Sequence, residues 1–316
     1  MMYFFAYIHS MKITYLLGAG ASANALPTVK TNGLKPSLAD SLNMMANFLE
    51  KELIDKTHKE FVNHLIKNFR EIAHQSNRFG TPDTFAKSLY LQEKYKELDY
   101  LKEAIIFYFT IEQILNRKID ERPLVFLTTV MENQFTFPHQ IKIISWNFDF
   151  QIQLAANEYQ KEEFIVGAGA SSHNRLISYY PSLGGSTDTN LQNDISMIQM
   201  NGIAGFYSKD SNIQNYFLKP PTDLNDLFKR IKDGYNHKTN LLTFAWEKNT
   251  VTGGLLRQRI SIAKRLAAGT EILVVIGYSF PFFNREYDKE IFHAMKKSEI
   301  KLKRYIFKTL IAKENS

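Results

Sequence analysis

Four short stretches place polar residues at the ends of apolar runs. In 15-YLLGAGASANALP-27, Gly18, Ala19, Gly20, Ala21 and Ser22 follow a strand-like segment. Gly-x-Gly after a strand lets backbone approach a phosphate without a Cβ in the way, and the amides that open a following helix point at the anion. The same glycines also serve an ordinary tight turn. The third glycine of the dinucleotide fingerprint is missing and no lysine stands at phosphate-loop spacing, which argues against a nucleoside triphosphatase. In 144-ISWNFDFQ-151, Asn147 and Asp149 stand two apart, so strand alternation puts them on one side. An amide can hold a water or a ribose hydroxyl; a carboxylate can accept a hydroxyl hydrogen bond or stabilise developing positive charge. The pair can equally cap the next helix. In 199-QMNG-202, Asn201 and Gly202 are also a strong turn signal. In 276-IGYSFP-281, Gly277 and Ser279 suit a ribose or phosphate contact at a strand exit. Asp288 follows in 284-NREYD-288, where a first-turn carboxylate ordinarily faces the helix dipole.

The elements that must position these residues are legible in the hydrophobic pattern. Short apolar runs predict strands at Ile13 to Leu17 and within 140–148, 195–202, 270–281 and 304–312. Ala-rich 21-ASANAL-26 predicts a helix start that Pro27 stops. From about Ser37 to Phe135 apolar residues recur at helical steps, as in Leu38, Leu42, Met45, Phe48 and Leu49. A break at 77–83 precedes a helix for which Asp83 is the expected cap. Further helices are expected at 253–267 and 284–297, and 164–194 reads as loop. Strands alternating with helices predict an α/β fold with a mostly parallel sheet, whose ligands bind beyond the carboxyl ends of the strands. The expected organisation is a sheet domain from 11–35 and 136–312, a helical insertion at 36–135, and an N-terminal extension at 1–10.

The chain of 316 residues contains no cysteine, which excludes disulfides, cysteine nucleophiles and thiolate metal sites. A reducing, cytoplasmic location fits that. The net charge is +7, but charges of both signs are mixed along the helices. The one dense basic run is 296–308, so duplex binding is disfavoured and an anionic cofactor or a partner protein accounts for the charge better. No stretch approaches the ~20 apolar residues that span a bilayer, so no membrane partner is expected. The opening ten residues lack the basic leader and cleavage site of a signal peptide.

In their order, strand–Gly-Ala-Gly-x-Ser, strand–Trp-Asn-Phe-Asp, strand–Asn-Gly and strand–Gly-Tyr-Ser-Phe-Pro, these stretches resemble the sirtuin-like (silent-information-regulator-like) family. Within it the likeness is to the bacterial anti-phage NAD-hydrolysing branch. The resemblance covers 13–27, 140–152, 195–206 and 270–292. It implies a Rossmann-like domain in which Gly18, Ala19, Gly20 and Ser22 line the NAD pyrophosphate. It further implies that Asn147 positions water or ribose and that Asp149 holds a ribose hydroxyl or stabilises charge. Trp146, Gly202, Gly277, Ser279 and Asp288 would border the cofactor. The implied activity is NAD+ glycohydrolysis without a metal, in the toxic effector of an abortive-infection system held off until a partner or homo-oligomerisation triggers it. Two departures stand out. The four-cysteine zinc module of the deacetylases cannot exist here. The family's His before the glycine is Asn201, and an amide takes no proton near neutral pH. His173 is a candidate replacement base. The competing expectations are a non-catalytic sensor of NAD or ADP-ribose, and a deacylase or ADP-ribosyltransferase.

Overall fold

The structure, a computed structural model, describes residues 11–29, 36–131, 137–163, 176–181, 195–204, 206–207, 220–235, 239–240, 242–247, 251–297 and 302–308. His173, the 1–10 extension, and most of the expected loops at 28–36 and 164–194 lie outside the described residues.

Apolar runs of three to five residues give the central strands β1 (Ile13–Leu17), β2 (Ile141–Ser145), β4 (Met197–Gln199) and β7 (Ile272–Ile276), with β3 (Tyr179–Tyr180) and β8 (Arg304–Lys308) at the edges. They form one all-parallel sheet in the order β3–β4–β2–β1–β7–β8, so the fold is α/β and Rossmann-like. A separate two-stranded ladder pairs β5 (Phe206–Tyr207) antiparallel with β6 (Thr239–Asn240). The register of the large sheet sets where its strands end. Leu17 lies opposite Ser145 on one side and Ile276 on the other, and Ser145 lies opposite Gln199. The four central strands therefore finish level, and the four polar stretches leave the sheet side by side.

Between β1 and β2 the chain forms α1 (Leu38–Lys51), α2 (Lys56–Phe79), α3 (Pro82–Leu91), α4 (Tyr95–Thr110) and α5 (Glu121–Val130). Ser37 and Asp40 make a reciprocal capping box at the start of α1. Asp83 is not the cap of α3: Thr81 is, accepting from the Thr84 amide, and Asp83 instead accepts from the Trp246 indole at 3.1 Å. A threonine one residue before a proline at the first helical position outcompetes an aspartate already inside the turn. The last turn of α4 widens into a π turn, Ile111–Leu115. The helix expected after Gly20 shrinks to a four-residue 3₁₀ turn, Ala19–Ser22.

The helices do not close on themselves. Their core of Phe69, Leu101, Ile105 and Phe107 is continuous with Phe150 and with Leu154 of α6 (Gln151–Glu163), with Leu227 and Phe228 of α7 (Leu224–Tyr235), and with Leu242, Phe244 and Trp246. A second core joins α8 (Val251–Ala267) and α9 (Arg285–Lys296) to the sheet through Leu256, Ala263, Val275 and Ile291. No helix among the described residues is long and apolar enough to cross a membrane.

One buried ion pair crosses the seam between the helical layer and the segment 242–247. Lys102 Nζ meets Glu247 Oε2 at 2.6 Å, with both side chains almost wholly buried, and Glu247 Oε1 accepts from the Phe244 amide. Removing one member of such a pair strands the other charge in low dielectric. Lys102→Met should therefore cost about 3–5 kcal/mol in urea unfolding; a loss below about 1 kcal/mol would mean that water reaches Glu247.

Candidate functional site

The glycines meet each other before they meet any ligand. The Gly18 amide donates to Ile276 O and the Gly20 amide to Gly277 O, each at 3.0 Å, and the Ala21 amide donates to Gly18 O at 2.8 Å. A Cβ on Gly18 would sit 2.6 Å from Gly277 O, and one on Gly277 would sit 2.3 Å from the Gly20 carbonyl carbon. Gly277 also has φ +59°, a left-handed conformation that favours glycine. The Gly-x-Gly therefore has a structural role beside the expected one. The Gly18 and Gly20 amides are committed to the β7 exit, and the element that follows them among the described residues is the 3₁₀ turn, too short to add a helix dipole. The glycines are required because two chain exits interlock backbone to backbone. The Ala19 amide has no acceptor among the described residues.

That interlock sets Ser22, which is buried, against the β2 exit. Asn147 Nδ2 donates to Ser22 Oγ at 3.3 Å, and the Ser22 and Asn147 side chains both lie close enough to the Asp149 carboxylate to favour its charged form. β2 has ended at Ser145, so Asn147 and Asp149 lie in a turn and not in the strand whose alternation was expected to align them. Asp149 Oδ1 also accepts from the Gln151 amide at 3.1 Å, so it caps α6 as well as facing Ser22. Asp149 is half-buried, and burial pushes its carboxyl up to about 6. The Gln151 amide, the Ser22 hydroxyl and the Asn147 amide oppose that rise, while the charge of Asp120 adds to it. A carboxyl poised there can exchange a proton near neutral pH.

Asn201 joins from β4. The Gly202 amide donates to Gln199 O at 3.1 Å, closing a turn, with Gly202 at φ +77°. Asn201 Nδ2 donates to Trp146 O at 2.8 Å, and its backbone carbonyl accepts from the Thr243 amide. Asn201 Oδ1 and the nearby Thr243 Oγ1 are buried and unpartnered among the described residues, so they are among the polar atoms left for a water or a ligand.

Trp146, Asp288 and Ser279 are placed differently. The Trp146 indole N–H donates to Asp288 Oδ1 at 3.0 Å, and the Tyr278 hydroxyl donates to Asp288 Oδ2 at 2.8 Å. The two rings lie nearly parallel, 11° apart with centroids at 6.2 Å. Both Trp146 and Asp288 are buried in this knot, which ties β2 and β7 to α9. Ser279 is exposed at the exit of β7.

Burial also pushes the Asp288 carboxyl up to about 6, although the Tyr278 hydroxyl and the indole favour its charged form. The ordinary value is 3.8, so between about 4 and 6 the folded chain holds a proton that the unfolded chain has released. Asp288 then weakens the fold as pH rises through that window. Asp288→Asn should remove up to about 3 kcal/mol of that decline, read as the pH dependence of the urea midpoint. Parallel wild-type and variant curves across that window would contradict the assignment.

Sequence reasoning missed the amides that hold the Asn147–Gln151 turn. Gln199 ends β4, fully buried, and Gln113 sits buried in the π turn. Their signal was present: a glutamine inside an apolar run must find partners when buried. Two clefts open in the helical layer, about 450 Å³ beside Gln75, Arg78 and Lys94 and about 250 Å³ beside Met44 and Glu112. Neither includes the strand-end residues. Among the described residues no three of His, Asp and Glu converge as metal ligands. No protein-family model matches the chain, and no curated protein matches it.

Proposed function

We propose that this chain cleaves NAD+ with water to nicotinamide and ADP-ribose at the carboxyl edge of its sheet. The observation that carries the reading is the meeting of Ser22, Asn147 and Asp149 from two different strand exits, where Asn147 donates to Ser22 and both side chains favour the charged Asp149 carboxylate. Departure of nicotinamide leaves positive charge on the ribose. In this reading Asn147 holds the attacking water or a ribose hydroxyl, and ionised Asp149 stabilises that charge and receives the water's proton. Asn201 contacts the ribose through Oδ1, since its amide nitrogen is engaged with Trp146 O. Gly18, Ala19, Gly20 and Ser22 face the pyrophosphate, with the Ala19 amide as the available donor. Gly202, Gly277, Ser279 and the Trp146–Asp288 pair shape the surrounding walls.

By its likeness to the anti-phage branch, the protein is a toxic effector in the cytoplasm that depletes NAD when a partner or self-assembly releases it. Asn201 also favours a second reading, a non-catalytic NAD or ADP-ribose sensor, because no base stands at its position. Incubating the purified protein with NAD+ and quantifying nicotinamide separates the two. NAD+ that is bound but remains intact supports the sensor. Label transferred from NAD+ to protein would instead indicate an ADP-ribosyltransferase.

A further inference from the structure

We infer that Gln199 and Gln113 are the positioning residues of this site, two buried amides that grip the Asn147–Gln151 turn from opposite elements and fix where the Asn147 amide and the Asp149 carboxylate stand. The turn needs such a grip. Between the end of β2 at Ser145 and the start of α6 at Gln151, the Trp146 amide still reaches Leu17 O, Phe148 O accepts from the Ala204 amide and Phe150 O from the Leu154 amide, but Asn147 O, Asp149 O and the Phe150 amide need side-chain partners. Gln199 Nε2 donates to Asp149 O at 2.6 Å and to Asn147 O at 3.4 Å, and its Oε1 accepts from Gln153 Nε2 at 2.6 Å. From the other side, Gln113 Oε1 accepts from the Phe150 amide at 3.1 Å and from Gln151 Nε2 at 3.0 Å, while its own Nε2 donates to Phe109 O. Gln151 Oε1 completes the frame by accepting from the Asp120 amide at 2.6 Å.

A primary amide suits this task because it donates and accepts at once without charge. A carboxylate at 199 would face two carbonyls, and an apolar side chain would leave both unsatisfied. Gln113 belongs to the helical layer, and it sits where α4 widens to a π turn, a local deviation often found at functional sites. The layer is therefore part of the site's frame. The positioning role stands on these hydrogen bonds alone; its catalytic consequence rests on the NAD+ reading.

The test uses the full chain with Gln199→Met and, separately, Gln113→Met, which keep length and remove the amide. The first readout is carboxyl NMR titration of Asp149 in protein without ligand. The charged group that acts on it is Asp120, paired with Arg122, and neither variant removes either residue. The expected result is a midpoint displaced by half a pH unit or more in folded protein. The second readout is NAD+ turnover, where kcat should fall on the order of 10–100-fold with KM changed far less. Unchanged titration and unchanged kcat in either folded variant would overturn the proposal. Loss of the fold in both variants would also overturn it, because the amides would then serve the fold rather than the site. If wild type releases no nicotinamide but the titration still moves, the activity reading fails and the positioning role survives.

Discussion

Gly277→Ala is expected to lower stability by about 3–5 kcal/mol. Two costs combine. Alanine at φ +59° enters the left-handed region, worth about 1–2 kcal/mol. The new methyl would also lie 2.3 Å from the Gly20 carbonyl carbon and 2.4 Å from the Ala21 amide nitrogen, so one chain exit must move. Both neighbours are backbone and cannot rotate aside as a side-chain tip would. Gly80 supplies the control within the same molecule. It has φ +84°, but a Cβ there meets nothing within 4 Å, so Gly80→Ala should cost only the conformational term. The difference between the two urea-unfolding free energies isolates the interlock of the β1 and β7 exits. Equal costs would show that the exits can separate freely, and with them the arrangement that seats Ser22.

Asn147→Ala is expected to reduce NAD+ cleavage at least ~100-fold while the protein stays folded. The fold depends little on this side chain. Its one bond to a neighbouring element in the described structure is the 3.3 Å donation to Ser22 Oγ, worth at most about 1 kcal/mol in stability. The carbonyl of Asn147, which Gln199 holds, survives the substitution. Asp149→Asn should behave alike in turnover, because it removes the only group at this turn able to carry charge. It should also abolish any activity step with a midpoint near the raised Asp149 value of about 6. Retained turnover in Asn147→Ala, with the variant's unfolding midpoint intact, would remove Asn147 from the chemistry.

The order of apolar runs makes the sheet legible because a strand buried on both faces admits few polar residues. The four strand exits are legible for the same reason: Gly, Asn and Ser end those runs abruptly. The cause of Gly18, Gly20 and Gly277 is not. A glycine needed for close approach looks the same whether the approaching group is a phosphate or another backbone, and only the tertiary register reveals that Gly277 fills the space. Asp83 reads as a cap because Thr81 and Asp83 both suit one, and the Trp246 indole that claims Asp83 is 163 residues away. Trp146 and Asp288 are legible as residues near the site but not as partners of each other, since that bond joins positions 142 apart. Gln113 and Gln199 are legible as buried amides that need partners, but the partners are not, because most are backbone groups, which carry no sequence signature.

The most direct measurement is nicotinamide and ADP-ribose quantified together after the purified full chain is incubated with NAD+, alone and at concentrations that favour self-assembly. Equimolar appearance of both products, lost in Asn147→Ala and in Asp149→Asn, is the predicted result. NAD+ that binds the wild-type protein and is recovered intact would contradict it.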